Sequence, residues 1–232
     1  MNLEIKDLTV GFGDKTILHN VSHTFREGKI TMLLGPNGCG KTTFIRSIVR
    51  KFADLRCLSY IPQEIYGNIG LTVEDTVALG RYNSKIFLAG HTEEDVKHIN
   101  DAISLMQLED RRRQIFDTLS GGEKQRCMAA RAICQDAEWF IMDEPSSSLD
   151  IVHSKFILDT ARKLVKNNGK SFIIVMHDIN SAAAYGDEFV LMRDGHIVYV
   201  TGELTSKILQ DVYGTPFGCV KTPSGKDVFY AL

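Results

Sequence analysis

The stretch that decides the fold is residues 35–42, which read Gly35-Pro36-Asn37-Gly38-Cys39-Gly40-Lys41-Thr42. It fits the pattern G-x-x-x-x-G-K-[ST], in which backbone N–H groups surround the phosphates of a nucleotide. We expect Lys41 to reach the β- and γ-phosphates and the Thr42 hydroxyl to ligate Mg²⁺. An apolar run over 30–34 precedes the loop, and a helix over about 41–52 is predicted to follow it. Strand, loop and helix form the context that such a loop requires, which predicts a nucleotide-binding α/β fold.

A second glycine-rich stretch opens at Leu119 and continues Ser120-Gly121-Gly122-Glu123. Ser120 is placed as the N-cap of a helix, and Glu123 three residues later completes a capping box. A helix start offers free N–H groups and the positive end of the helix dipole, so it is an anion site. Two phosphate cradles in one chain suggest two surfaces that close on the same triphosphate.

Length, composition and charge narrow the class. The chain has 232 residues, 44% of them hydrophobic, so it can bury a full core. Its net charge of −2 lacks the basic surplus that is typical of nucleic-acid binding. The apolar runs are too short to span a bilayer, and no signal peptide opens the chain. The five cysteines are scattered without a C-x-x-C pair, which favours a reducing cytosol.

The rest of the chain alternates between helical and strand patterns. Thr72 and Thr92 each stand three residues before an acid, which predicts capped helices in the middle third. The runs 139–142 and 172–176 are unbroken apolar stretches, typical of parallel strands that are covered on both faces. A helix over about 152–166 lies between them, and Asp194-Gly195 predicts a hairpin turn.

Acidic and imidazole side chains follow the predicted strands. Asp143 and Glu144 end the strand over 139–142, and His177 ends the next strand. Because ligands of open parallel sheets bind at the carboxyl ends of strands, all three are expected to face the nucleotide. Asp143 is predicted to be a Mg²⁺ partner and Glu144 to orient or polarise a water on the γ-phosphate. His177 is predicted to hydrogen-bond the γ-phosphate.

Together these residues resemble the ATP-binding-cassette (ABC) ATPases, and the resemblance covers the chain from Leu3 to about Gly214. Ser120-Gly121-Gly122 matches the family signature. Gln63 stands where the family has its Q-loop glutamine, a metal and water contact. Ser148-Leu149-Asp150 resembles the D-loop, which crosses the dimer interface, and Phe12 stands where an aromatic ring stacks on adenine.

The resemblance implies an α/β fold with a P-loop core, a mostly parallel sheet, an antiparallel β-subdomain and an inserted helical subdomain that carries the signature. It implies one ABC domain over 1–232, with the core and β-subdomain in 1–66 and 137–232 and the helical part in about 67–136. ATP and Mg²⁺ are the implied cofactors. The implied nucleotide contacts are Phe12, residues 35–42, Thr43, Ser120, Gly121, Gly122, Glu123 and Asp150, with Thr42, Gln63 and Asp143 at the metal. Glu144, His177 and Gln63 are the implied catalytic residues.

One departure from the family pattern lies between Lys41 and Gln63, whose separation is roughly half the family's usual interval. The missing piece normally holds a G-x-I-x-x-x-G hairpin of the small antiparallel subdomain. We therefore expect a trimmed β-subdomain beside an intact catalytic core.

Further stretches of the sequence, such as Arg81-Tyr82 and His177-Asp178-Ile179-Asn180, are similar to those of ATPase subunits of iron-siderophore, haem and cobalamin importers. The resemblance implies a head-to-tail homodimer, peripheral on the cytoplasmic face of the membrane. It pairs with a transmembrane permease near residues 64–81 and with an extracytoplasmic substrate-binding protein, and nucleic acid is not among its partners. An alternative is a soluble ABC ATPase that acts in cofactor assembly or as another ATP-driven scaffold. A DNA-repair or translation cassette is disfavoured, because there is no coiled-coil insertion, second cassette or basic surplus.

Overall fold

The computed structural model describes residues 1–53, 57–63, 70–81, 90–144, 151–223 and 225–232. The strands of its largest sheet are β3 (Ile30–Leu34), β4 (Leu58–Ile61), β5 (Trp139–Asp143), β6 (Ser171–Val175), β7 (Glu188–Arg193) and β8 (His196–Thr201). They lie in the order β4-β5-β6-β3-β7-β8. Neighbouring strands are parallel, except that β8 runs antiparallel to β7.

Both faces of this sheet are covered, which explains why its inner strands β3, β5 and β6 are buried along their whole length and mostly apolar. In β3, Met32 packs into one core layer and Leu33 into the other, because successive side chains of a strand point to opposite faces. One layer contains helices α4 (Gly121–Cys134) and α5 (Ile151–Asn168), and the other contains α1 (Lys41–Lys51). The predicted parallel α/β core is confirmed.

A separate two-stranded antiparallel sheet covers the α1 side of the core. It consists of β1 (Leu3–Phe12) and β2 (Lys15–Phe25), joined by a tight turn at Gly13. Within the described ranges, this sheet contains those two strands alone. The antiparallel subdomain is therefore present and small, as the shortened interval before Gln63 predicts.

The middle of the chain is helical. Helix α2 (Val73–Ala78) and helix α3 (Glu93–Leu105) pack against α4. Each of the three helices begins with a capping box. The N-cap hydroxyl accepts a hydrogen bond from the backbone N–H of the third helical residue, and the carboxylate of that third residue accepts one from the N-cap backbone N–H. The predicted helix starts at Thr72, Thr92 and Ser120 are confirmed.

The C-terminal part contains α6 (Ile179–Tyr185), α7 (Ser206–Tyr213) and an antiparallel hairpin of β9 (Phe217–Lys221) and β10 (Asp227–Ala231). The predicted turn at Asp194-Gly195 joins β7 to β8, and both residues have positive φ. The β9–β10 hairpin was not predicted from the sequence. Within the described ranges, none of the helices combines the length and apolar character that crossing a bilayer requires.

Candidate nucleotide-binding site

The glycine-rich loop connects β3 to α1, and its glycines are required by the packing around them. Gly35 has φ +146°, and a Cβ on it would stand 2.2 Å from the carbonyl oxygen of Met192. Gly40 has φ +104°, and its Cβ would stand 2.8 Å from Cδ2 of Leu18. L-residues rarely adopt such φ values, so glycine at these two positions shapes the loop.

The lysine that follows the loop is held against it. Lys41 is only 5% exposed, and its ammonium donates to the carbonyl oxygens of Gly35 at 2.8 Å and of Pro36 at 3.0 Å. The side chain therefore crosses over the loop and places a positive charge in its concavity. This is the geometry that phosphate binding needs.

A carboxylate from the neighbouring part of the sheet faces the start of α1. The Thr42 hydroxyl donates to Oδ1 of Asp143 at 3.4 Å, and the Tyr60 hydroxyl donates to Oδ2 at 3.4 Å. Burial raises the pKa of the Asp143 carboxyl, and the nearby charge of Glu144 adds to the rise. Hydroxyl and carboxylate oxygens are the ligands that Mg²⁺ prefers, so this pair fits the predicted metal position.

The three predicted catalytic residues lie together, with Gln63 and His177 both contacting Glu144. Its carboxylate accepts from Nε2 of Gln63 at 2.5 Å, and its other oxygen lies 2.5 Å from Nε2 of His177. Glu144 is 8% exposed and has φ +50°, a left-handed conformation that is uncommon for a residue with a side chain. Such conformations cluster at functional sites, because surrounding structure must hold them in place.

Part of the loop, Lys41 and the Gln63–Glu144–His177 cluster line one cleft of about 470 Å³, and Asp143 is not among its lining residues. The lining also includes one residue that the sequence did not predict, Ile17 on β2. The lining residues are Ile17, Asn37, Gly38, Gly40, Lys41, Thr42, Thr43, Gln63, Glu144 and His177.

The second predicted cradle lies at the start of α4 and does not line this cleft. The Ser120 hydroxyl accepts from the Glu123 N–H, and the Glu123 carboxylate accepts from Ser120 N–H at 2.9 Å. Arg111 donates from Nε to the same carboxylate at 2.9 Å and is the main cause that lowers the pKa of Glu123 to about 2. A Cβ on Gly122 would stand 2.6 Å from Cδ2 of His153, so the α5 imidazole packs directly on that glycine.

A sequence profile described as "ABC transporter" matches residues 18–147. The chain belongs to the ABC transporter family. Among curated relatives of this ABC protein is the petrobactin import ATP-binding protein YclP of Bacillus subtilis (strain 168), 36% identical over 217 residues. That alignment covers 84% of this chain and 85% of the relative. The hemin import ATP-binding protein HmuV of Shewanella denitrificans is 33% identical, with 84% and 85% covered.

Solved structures agree in fold with this ABC protein. A metal-chelate type ABC transporter in an inward-facing conformation superposes with a TM-score of 0.83 at 21% identity, covering 99% of this chain and 96% of that chain. The dimeric structure of MJ0796, a bacterial ABC transporter cassette, superposes with a TM-score of 0.75 at 22% identity, covering 88% and 100%. These likenesses show the ABC cassette fold.

The predicted site residues fall into four groups. The loop residues, Lys41, Thr42, Thr43, Gln63, Asp143, Glu144 and His177 line the cleft or directly flank it. Residues 120–123 lie at the start of α4, outside the cleft. Phe12 lies at the end of β1 and is 68% exposed as a residue, so it can contact a planar ligand, but it is not among the residues that line the cleft. Asp150, with its neighbours Ser148 and Leu149, lies outside the described residues.

Proposed function

We propose that this protein is the ATP-binding and hydrolysing subunit of a membrane importer for iron-siderophore, haem or cobalamin type cargo. The observation that carries the ATPase part is the convergence of Gln63, Glu144 and His177 beside the lysine-bearing loop. The cargo class is supported by relatives that are named for petrobactin and hemin import. Cobalamin rests on sequence resemblance alone.

The proposed chemistry follows from where each side chain lies. The loop N–H groups and Lys41 bind and orient the triphosphate, while Thr42, Asp143 and Gln63 supply the oxygens for Mg²⁺. The metal, when bound, neutralises charge on the phosphate oxygens. Glu144 is positioned to orient a water toward the γ-phosphate and to accept its proton.

His177 has a second part in this scheme. It touches the Glu144 carboxylate and lines the same cleft, with its side chain 43% exposed. Its imidazole can therefore hold the carboxylate in place and contact the γ-phosphate. Loss of that phosphate would remove this contact from the residues that follow β6. Phe12 is assigned to adenine stacking.

We also propose that two copies pair head to tail. In this arrangement Ser120, Gly121, Gly122 and Glu123 of one copy complete the phosphate site of the other, and Asp150 lies at the interface. The absence of these α4 residues from the lining of the cleft supports an intermolecular role, as does the dimeric state of MJ0796. ATP binding then favours closure of the pair, and hydrolysis permits opening.

The same proposal fixes the division of the chain and its partners. Residues 1–66 and 137–232 form the core with its β-subdomain, and about 67–136 form the helical part, a division supported by the packing of α2 and α3 on α4. A transmembrane permease contacts the region 64–81, of which 64–69 lie outside the described residues. The dimer is peripheral on the cytoplasmic face, and a separate extracytoplasmic protein delivers the cargo.

Two measurements test this proposal. Purified protein should hydrolyse ATP only when Mg²⁺ is present, and removal of the metal with a chelator should abolish the turnover. Extraction of membranes in detergent should recover the protein with a polytopic membrane protein. Recovery only in soluble complexes would contradict the importer assignment and favour the cofactor-assembly alternative.

A further inference from the structure

The first glycine of the phosphate loop is bonded to a side chain from the far end of the chain. The Gly35 N–H donates to the hydroxyl of Tyr213, the last residue of α7, at 3.2 Å. Gly35 is buried, so without this bond its N–H would have to find another partner away from water. A residue 178 positions away thus fixes the point where β3 becomes the loop.

The Tyr213 side chain is built into the protein rather than resting on its surface. Burial raises the pKa of its hydroxyl to about 12, so the group is neutral and protonated at physiological pH. Its ring lies 5.9 Å from that of Phe217, centroid to centroid. Gly214 ends α7 in a left-handed conformation, directly after the tyrosine.

Helix α7 is held in place by contacts that do not involve the Tyr213 hydroxyl. Arg193 donates from Nη1 to the backbone oxygen of Asp211 at 2.7 Å, and the Tyr199 hydroxyl donates to the Asp211 carboxylate at 2.8 Å. Leu209 and Val212 are buried in the main core. The helix therefore presents the Tyr213 hydroxyl to the loop from a fixed support.

The strand pair β7–β8 contacts the loop at two other points. The Gly195 N–H donates to the carbonyl oxygen of Cys39 at 3.1 Å, and the Met192 carbonyl packs against the Cα side of Gly35. The strand pair β7–β8 and helix α7 thus contact both the beginning and the end of the loop. Of these contacts, the hydrogen bond from Gly35 to Tyr213 is the one made by a side chain. A substitution of Tyr213 can therefore remove it without a change to the backbone.

We propose that Tyr213 is a positioning residue for the phosphate loop, whose hydroxyl holds the Gly35 backbone so that the loop amides and Lys41 are preorganised for the triphosphate. This inference rests on the proposed function, because it assigns the loop to ATP. The Lys41 ammonium also bonds to the Gly35 carbonyl, so a shift of Gly35 displaces the cation together with the loop. Preorganisation of this kind increases affinity by reducing the ordering that binding must supply.

The test compares Tyr213→Phe with Tyr199→Phe. Each variant removes one phenolic hydroxyl from the surroundings of α7, but only the first removes a bond to the loop. For Tyr213→Phe we expect ATP and ADP to bind about threefold to tenfold more weakly, as expected for one lost hydrogen bond, with kcat at saturating ATP reduced by a smaller factor than the affinity. Hydrogen exchange of a peptide that covers residues 33–41 should become faster. For Tyr199→Phe, affinity and exchange in this peptide should match the unmodified protein.

The readouts separate this inference from the proposed function. Failure of the unmodified protein to bind ATP would overturn the proposed function, and the exchange measurement would still judge the role of Tyr213. Normal exchange over 33–41 together with normal affinity in Tyr213→Phe would overturn the positioning role. Equal losses in both variants would also overturn it, because they would trace the effect to the docking of α7. A fall in kcat at unchanged affinity would contradict it as well.

Discussion

The two glycine-rich junctions of this chain differ in what surrounds their first glycines, Gly35 and Gly121. At the phosphate loop, a Cβ on Gly35 would stand 2.2 Å from the Met192 carbonyl oxygen, and one on Gly40 would also collide with atoms of the same chain. At the start of α4, a Cβ on Gly122 would meet the His153 ring, but a Cβ on Gly121 would meet no atom within 4 Å among the described residues. The phosphate loop therefore needs glycine at its first position in order to fold. The described part of the chain offers no steric reason for glycine at 121.

This difference indicates where each junction meets its partner. The phosphate loop is surrounded by its own chain, from Leu18 on β2 to Tyr213 on α7, and its cation already lies over it. The start of α4 has its polar groups satisfied by Glu123 and Arg111, yet it lies outside the cleft. The phosphate loop therefore meets its ligand within a single chain, and under the proposed head-to-tail pairing the start of α4 acts on the site of a second copy.

The largest effect is expected from Glu144→Gln. The amide keeps the size of the side chain but cannot accept a proton from the attacking water, so ATP should still bind while hydrolysis falls about a hundredfold or more. Turnover of ATP under saturating Mg²⁺ and direct nucleotide titration measure the two quantities. This variant separates binding, which the loop supplies, from chemistry.

A matched control is Glu138→Gln, which alters an exposed carboxylate just before β5. It makes the same chemical change outside the cleft. Turnover should stay within about twofold of the unmodified protein, because substitutions of exposed residues away from the site have small effects. Near-normal turnover in Glu144→Gln would remove the role given to Glu144.

Gly121→Ala tests the cradle at α4. Because nothing in the described structure opposes the methyl group and alanine favours helices, the melting temperature should be unchanged or slightly higher. If the neighbour's phosphate approaches this glycine, turnover should still fall by roughly tenfold or more, since small displacements at a reacting site have large costs. Size-exclusion chromatography with ATP, in a Glu144→Gln background, should show less dimer. Full activity in Gly121→Ala would contradict an intermolecular role for this residue.

Gly35→Ala should show the reverse behaviour. The alanine methyl group would have to displace the Met192 carbonyl, and the alanine backbone would have to adopt φ +146°. The free energy of unfolding should therefore fall by about 2 kcal/mol or more. Urea denaturation in the absence of nucleotide measures this directly. Gly38→Ala is a useful control, since Gly38 has a positive φ but its Cβ would meet no atom within 4 Å, and it should lose less stability. Equal losses at positions 35 and 38 would assign the effect to φ alone and not to the contact with Met192.

The sequence predicts the local features of both junctions and misses a long-range contact at each. The loop pattern, the strand ends at Asp143 and Glu144, and the capping box at Ser120 are local features, so spacing alone places them correctly. The contacts of His153 with Gly122 and of Tyr213 with Gly35 join elements that are far apart in the chain. Their residue types carry no local signal, because the packing of α5 and α7 creates these contacts. The β9–β10 hairpin lies beyond the stretch that resembles the family, and only the pairing of its two strands reveals it.

The smallest effect concerns the ion pair that braces the start of α4. Arg111 and the Ser120 cap lower the pKa of Glu123 from 4.5 to about 2, so the carboxylate contributes stability that is present above about pH 4.5. That contribution is lost as the pH falls from about 4.5 toward 2, where Glu123 becomes protonated in the folded protein. In Glu123→Gln the loss of stability over this range should be shallower, as followed by thermal unfolding. The side chains are partly exposed, so the difference at neutral pH should be about 1 kcal/mol or less.

Arg111→Gln separates the ion pair from the cap, because it leaves the bonds between Ser120 and Glu123 in place. Arg111→Gln should reduce the loss of stability between about pH 4.5 and 2 by less than Glu123→Gln does. If the stability of Glu123→Gln and of the unmodified protein varied identically with pH, the role given to Glu123 would be contradicted. Part of the acid sensitivity should survive in either variant, since Arg81 and Thr92 also lower the pKa of Asp95 to about 2. Nucleotide affinity, measured on the monomer, should be unchanged in both variants, because neither residue lines the cleft. A loss of monomer affinity would mean that the two junctions are coupled within one chain, and the intermolecular assignment of α4 would have to be replaced by an intramolecular one.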